Sequence, residues 1–148
     1  VRCKKMEATE ELSGKAIQSI SCPESTSGLR QIPWLRLVLG NGAKFEIEPI
    51  EKAIKGEKYP ALGLKLEFVK AFSQISEWPG GPALKWREMP ELRVLRNIPI
   101  NTVEYSDPAQ EGITSAINIA FKTGAWLKVT HSSSPMAIDV EHGLARNT

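Results

Sequence analysis

The sequence predicts an α+β fold that is mainly antiparallel β, built from two similar β-hairpin units with one or two short helices. Three observations carry this prediction. Segments 35–47 and 117–129 alternate apolar and polar side chains around a turn containing Gly. Their apolar positions superimpose at a constant offset. Breaks at Cys22-Pro23, Trp78-Pro79-Gly80-Gly81-Pro82 and Ser106-Asp107-Pro108 cut the rest into short runs. Period-two alternation places one set of side chains on one sheet face.

The first dozen residues are polar and read as a frayed end or a helical lead-in. Ala16, Ile17 and Ile20 then suggest a first strand that stops at Cys22-Pro23, and 24–28 is a Ser-rich loop. Leu35, Leu37 and Leu39 alternate with Arg36 and Val38. After Asn41-Gly42, Ala43, Phe45 and Ile47 alternate with Lys44, Glu46 and Glu48. Asn-Gly suits a type I′ turn, which needs positive φ at both central residues. Pro49 to Gly56 reads as a short helix, with Pro early and Gly at the end.

Residues 62–75 stay open between two readings. Leu62, Leu64, Leu66 and Phe68 alternate like a strand, whereas Leu62, Leu66, Val69, Phe72 and Ile75 fit one side of a helix. Leu84 and Trp86 start a short strand, Pro90 interrupts, and Leu92, Val94 and Leu95 follow. Ile98, Ile100 and Val103 give another strand. In the second hairpin, Ile117, Ile119 and Phe121 lead through Thr123-Gly124 to Ala125, Leu127 and Val129. A Ser-rich loop from His131 to Pro135 precedes a last strand with Met136, Ile138 and Val140.

The repeat matches Leu35, Leu37, Leu39, Gly42, Phe45 and Ile47 to Ile117, Ile119, Phe121, Gly124, Leu127 and Val129. It extends upstream with a one-residue slip, matching Ile17 and Ile20 to Ile100 and Val103. The pattern implies two units, each burying one apolar face.

Composition narrows the function. The 148 residues fit one domain, 1–148, with 1–12 and 143–148 as loose ends. A chain of this length buries roughly 70% of its unfolded surface and needs neither metal nor disulfide. The net charge is +2 with the two signs interleaved. The best basic cluster, Lys85, Arg87, Arg93 and Arg96, is interrupted by Glu88 and Glu91, so no nucleic-acid partner is expected. Cys3 and Cys22 allow one bridge but make no metal-binding pattern. The beginning, with Val1 or Met6 as the start, lacks the apolar run of a secretory signal. No stretch reaches the ~20 apolar residues of a membrane span. The expectation is a cytoplasmic protein with no cofactor, no metal and no membrane partner.

No residue set for catalysis emerges. His131 and His142 are the only histidines, and no Gly-x-Ser-x-Gly elbow is present. His131, Asp139, Glu141 and His142 are close in sequence without zincin or EF-hand spacing. Glu46 and Glu48 share a hairpin face, where alternation already places surface residues. The reading is therefore more non-enzymatic than enzymatic. Trp126 falls in the polar register of its hairpin, beside Lys128 and Thr130. Trp and Arg dominate interface hot spots, so Trp126, Trp78, Trp86 and Arg87 are the candidate interface.

The runs Asn97-Ile-Pro-Ile-Asn-Thr-Val103, Ile117-Asn-Ile-Ala-Phe-Lys-Thr-Gly-Ala-Trp-Leu127 and Pro135-Met-Ala-Ile138 resemble those of small bacterial immunity proteins of polymorphic and contact-dependent toxin systems. The resemblance covers the last third of the chain and is echoed at 35–47. It implies a stoichiometric inhibitor that binds a toxin partner and does no chemistry. Two other readings stand beside this protein-binding one. One is a homodimeric structural domain. The other is a small-molecule-binding or enzymatic domain with a pocket between the two β units.

Overall fold

The computed structural model describes residues 9–53, 55–76, 78–106, 113–132 and 136–144. Strands β1 (Ile17–Pro23), β2 (Leu35–Leu39), β3 (Lys44–Lys52), β4 (Ala61–Val69) and β5 (Trp86–Glu88) form one antiparallel sheet in the order β4-β3-β2-β1-β5. A 3-10 helix, Pro90–Leu95, leads to the second sheet. Its strands β6 (Ile100–Ser106), β7 (Ala116–Phe121), β8 (Trp126–Ser132) and β9 (Ala137–Gly143) run in sequence order.

Alternation explains how the sheets pack. Leu35, Leu37, Leu39, Phe45, Ile47, Leu64 and Leu66 leave the first sheet on one side. Ile117, Ile119, Phe121, Leu127, Val129, Ile138 and Val140 do the same on the second, and all join one buried cluster. Two apolar faces closed on each other make a sandwich whose interior is filled by side chains. The 3-10 helix adds Leu92 and Leu95 to that cluster.

The two sheets are laid out alike. Leu35 pairs with Ile47 and Leu37 with Phe45, as Ile117 pairs with Val129 and Ile119 with Leu127. The β1–β2 register slips between Ile17 and Ser19, and the β6–β7 register slips at the matching place, between Ile100 and Thr102. The corners match too. Ile32 exchanges both backbone hydrogen bonds with Ile138 (2.8 and 2.7 Å), and Thr114 does so with Leu64 (3.1 and 2.7 Å). Gly40 N–H donates to Ala16 O and Lys122 N–H to Pro99 O, each at 2.9 Å.

Several expectations change. The turns are not of type I′, because only Gly42 (φ 88°) and Gly124 (φ 91°) have positive φ there. Each closes a three-residue loop, with Leu39 N–H on Ala43 O and Phe121 N–H on Ala125 O. A type I turn followed by one left-handed residue gives this geometry. The Asn41 and Thr123 side chains accept the next backbone N–H, from Ala43 and Ala125 respectively. Among the described residues of 49–56 no helix forms, since Pro49 to Lys52 continue β3. β2 pairs only as far as Ile47, so β3 runs on as a ribbon with β4 alone, an edge setting that tolerates Pro49.

The open choice over 62–75 resolves to strand as far as Val69. Leu64 and Leu66 point into the core between β3 and the Thr114 corner. Near the beginning, residues 9–12 form a helical turn rather than a frayed end, and Leu12 is fully buried. Gly143, expected in a loose tail, pairs with Trp126 at the end of β9. Cys22 lies in the core, where burial raises its thiol pKa. Cys3 lies outside the described residues. Among the described residues, no helix is long and apolar enough to cross a membrane.

Candidate functional site

The sandwich has two outer faces, and they differ. On the first sheet, registers align Glu88, Ser21, Arg36, Glu46 and Glu67 in one row across all five strands. The chain after β4 crosses this row. Ser73 donates its backbone N–H and its hydroxyl to the Glu46 carboxylate, at 3.2 and 2.7 Å. Arg36 donates to Ser73 O at 2.6 Å and lies 3.8 Å from Glu46. Its guanidinium carbon lies 3.7 Å from the centre of the Trp86 ring and 4.6 Å from that of Phe72. Glu46 is therefore only 6% exposed, against its reading as an ordinary surface residue. Burial lowers the Arg36 pKa, and Glu46 opposes that shift.

Beside this clamp is a hollow of about 140 Å³ lined by Trp34, Glu46, Glu48, Lys65, Glu67 and Ser73. Its charges answer one another. Lys65 lies 3.0 Å from Glu67 and 3.9 Å from Glu48. The hydrogen bond to Glu67 raises the Lys65 pKa, and burial raises that of Glu48. The face is an internal lock that pins the 70–86 connection to the sheet.

The second sheet's outer face is more open. Three rows cross it: Thr102, Ala120, Trp126 and Gly143; Glu104, Asn118, Lys128 and Glu141; and Ser106, Ala116, Thr130 and Asp139. Thr102, Glu104 and Glu141 are exposed, while Trp126 and Lys128 are half-buried. Small neighbours explain how Trp126 lies. A Cβ added to Gly143 would sit 2.5 Å from the indole Nε1, so the ring rests on bare backbone of β9. Trp126 and Ala120 also line a hollow of about 210 Å³. Thr102, Glu104, Asn118, Gly124 and Trp126 are among its walls. Asn118 Nδ2 donates to Ser106 Oγ at 3.1 Å, which fixes the amide. The far row is tied down by residues 30 and 31, with Gln31 N–H on Asp139 and Gln31 Nε2 on Ser132.

The four sequence-derived interface residues do not come together. Trp126 sits on the second sheet's outer face, in the polar register as expected. Trp86 lies on the first sheet's outer face, stacked on Arg36. Arg87 points toward the core side with Cys22 and donates to Thr26 O at 3.1 and 2.6 Å, which makes it a structural tie. Trp78 is 57% exposed in a turn, with its ring over Gly81. Sequence reasoning missed Arg36 and Glu46 as a clamp, although the hairpin alternation already placed them on one face. Glu104 and Asn118 were missed as neighbours of Trp126, because β6 joins this face only through its pairing with β7.

The His131, Asp139, Glu141 and His142 group is divided by strand parity. Asp139 and Glu141 face outward, whereas His131 and His142 pair with inward-facing Ile138 and Leu127. Among the described residues no group of His, Cys, Asp or Glu could hold a metal ion. Of the basic cluster, Arg87 donates to Thr26 O and Arg96 lies 3.5 Å from Glu88. A third hollow, about 320 Å³, is lined by Glu24, Ser25, Leu84 and Lys85 and carries ordinary surface chemistry. No family model, curated protein or solved structure matches this chain.

Proposed function

We propose that this chain is a non-catalytic protein-binding domain, an immunity-type inhibitor that blocks a toxin partner through the outer face of its second sheet. One observation carries the reading: Trp126 lies flat on that face beside a hollow of about 210 Å³, within polar rows. Small-molecule sites have volumes of about 300–1,000 Å³, so this hollow suits one inserted side chain better than a metabolite. Buried aromatic anchors with a polar rim are how protein interfaces concentrate affinity. The interior between the sheets is packed with core side chains, which favours a surface interaction over a ligand held between the two units.

The domain itself derives from duplication of one four-stranded meander. The matching registers, register slips, turns and corner hydrogen bonds support this. Replacing Gly40-Asn41 with the Lys-Thr of the second turn should then leave the fold and its stability nearly unchanged.

The direct test is co-expression with the product of the neighbouring upstream gene. A stable one-to-one complex and rescue of a growth defect support the reading. No complex and no toxicity remove it. A tight dimer in light scattering, with Trp126 protected at its interface, would favour the homodimeric alternative.

A further inference from the structure

We propose that Asn41 is a site of spontaneous modification, where the folded turn lets the side-chain amide convert to aspartate and isoaspartate. The reaction is intramolecular. The Gly42 backbone nitrogen attacks Asn41 Cγ and closes a cyclic imide. The Cγ–Nδ2 bond breaks, and Nδ2 leaves as ammonia with the proton of the attacking amide. Water then opens the imide at either carbonyl, giving aspartate or isoaspartate. Sequence selects the position. Asparagines stand at 41, 97, 101, 118 and 147, and Asn41 alone precedes a glycine. Ile98, Thr102, Ile119 and Thr148 follow the others, and a β-branched side chain crowds the nitrogen that would attack. Asn101 and Asn118 also lie within β6 and β7, where the ladder holds the backbone extended.

The turn suits the chemistry. Gly40, Asn41 and Gly42 are exposed. A Cβ added to Gly42 would meet nothing within 4 Å, so water and hydroxide reach this peptide. Asn41 Oδ1 accepts the Ala43 N–H at 3.1 Å. That bond turns the side-chain amide back along the Gly42 backbone, and it supplies a donor where negative charge builds during the attack. Lys44 Nζ lies 3.5 Å from Gly42 O, the other end of the same peptide, and strengthens that donor. The Gly42 N–H donates to Leu39 O at 2.9 Å, one turn bond that the attack gives up. The second hairpin is the built-in control. Thr123 takes the place of Asn41 and its hydroxyl accepts the Ala125 N–H, but it has no amide to lose. Of the two products, aspartate keeps the turn's acceptor. Isoaspartate lengthens the backbone of a loop whose ends are fixed by Leu39 N–H on Ala43 O and Gly40 N–H on Ala16 O, each at 2.9 Å, and so loosens the hairpin.

The test is incubation of the intact protein at mildly alkaline pH, with and without urea. The readouts are ion exchange, peptide mapping by mass, and methyl transfer from S-adenosylmethionine by an isoaspartyl methyltransferase. The expected result is one negative charge gained per molecule, from a net charge of +2, located at Asn41 and formed faster as pH rises. A reaction that required unfolding would be slowed by the unfolded fraction, about 10³-fold or more. A folded rate within about a hundredfold of the urea rate therefore supports the proposal, and a slower one overturns it, because the turn then protects Asn41. Asn41→Thr copies the second turn, so it should fold as before and lose both the charge shift and the methyl acceptance completely. Conversion of Asn97, Asn101 or Asn118 at a comparable rate, or an undiminished shift in Asn41→Thr, also overturns the proposal.

Discussion

Replacing Glu46 with Ala should be among the costliest single changes on the molecule's surface. The carboxylate is 6% exposed and accepts two hydrogen bonds from Ser73, at 3.2 and 2.7 Å. Its removal strands Arg36, whose side chain is 14% exposed and whose Nε has no hydrogen-bond partner. Breaking one side of a buried ion pair costs about 3–5 kcal/mol. Some water reaches Arg36, so the lower end applies, and we expect about 3 kcal/mol. At about 3 °C per kcal/mol for a domain of this size, the midpoint should fall by about 9 °C. The assay is urea unfolding monitored by tryptophan fluorescence, together with amide exchange over residues 70–76. Exchange there should accelerate more than in β7 and β8. The double variant Arg36→Met with Glu46→Leu removes both charges and should lose only about 1 kcal/mol, because no stranded cation remains. A cost below about 1 kcal/mol for Glu46→Ala, or a double variant worse than the single, would refute this account of the clamp.

Three further outcomes are expected. Gly42→Ala and Gly124→Ala, at φ 88° and 91°, should each cost about 1–2 kcal/mol in equilibrium unfolding, and by similar amounts because the turns are alike. Burial lowers the His131 pKa from its usual 6.5, so the folded state resists protonation more than the unfolded chain. The associated stability is full above the unfolded pKa and declines as pH falls below it; His131→Gln should flatten the measured pH dependence from about pH 6.5 downward. Gly143→Ala would put a methyl group against the Trp126 ring and displace the indole. Partner binding should then weaken several-fold while the protein loses about 1–2 kcal/mol. Unchanged binding, with an unmoved indole N–H resonance, would count against the hollow as the contact site.

The readable part of the candidate site was Trp126, because one strand's alternation is enough to assign its face. Its surroundings were not readable. Thr102, Glu104 and Asn118 reach the same hollow only because β6 and β7 pair in a register with a slip at Asn101, and nothing local marks that slip. Arg87 and Trp86 looked like equivalents in the sequence. Strand parity and the approach of Thr26 gave one a structural bond, while the crossing of 70–86 gave the other a stacked arginine.

By itself, the sequence determined the two hairpins and their inward faces, since period-two alternation and turn glycines are local properties of the chain. Tertiary structure decided the rest. The ambiguous 62–75 segment became strand as far as Val69 because β3 offered it a complete ladder, and Leu64 closed a corner with Thr114. Leu12 became core because the ends of β1 and β6 meet beside it, with Gly14 N–H donating to Ile100 O at 2.9 Å. Glu46 became buried because a distant segment lay down across its face. Local sequence sets which way a side chain points, but burial depends on what arrives from elsewhere in the chain to cover it.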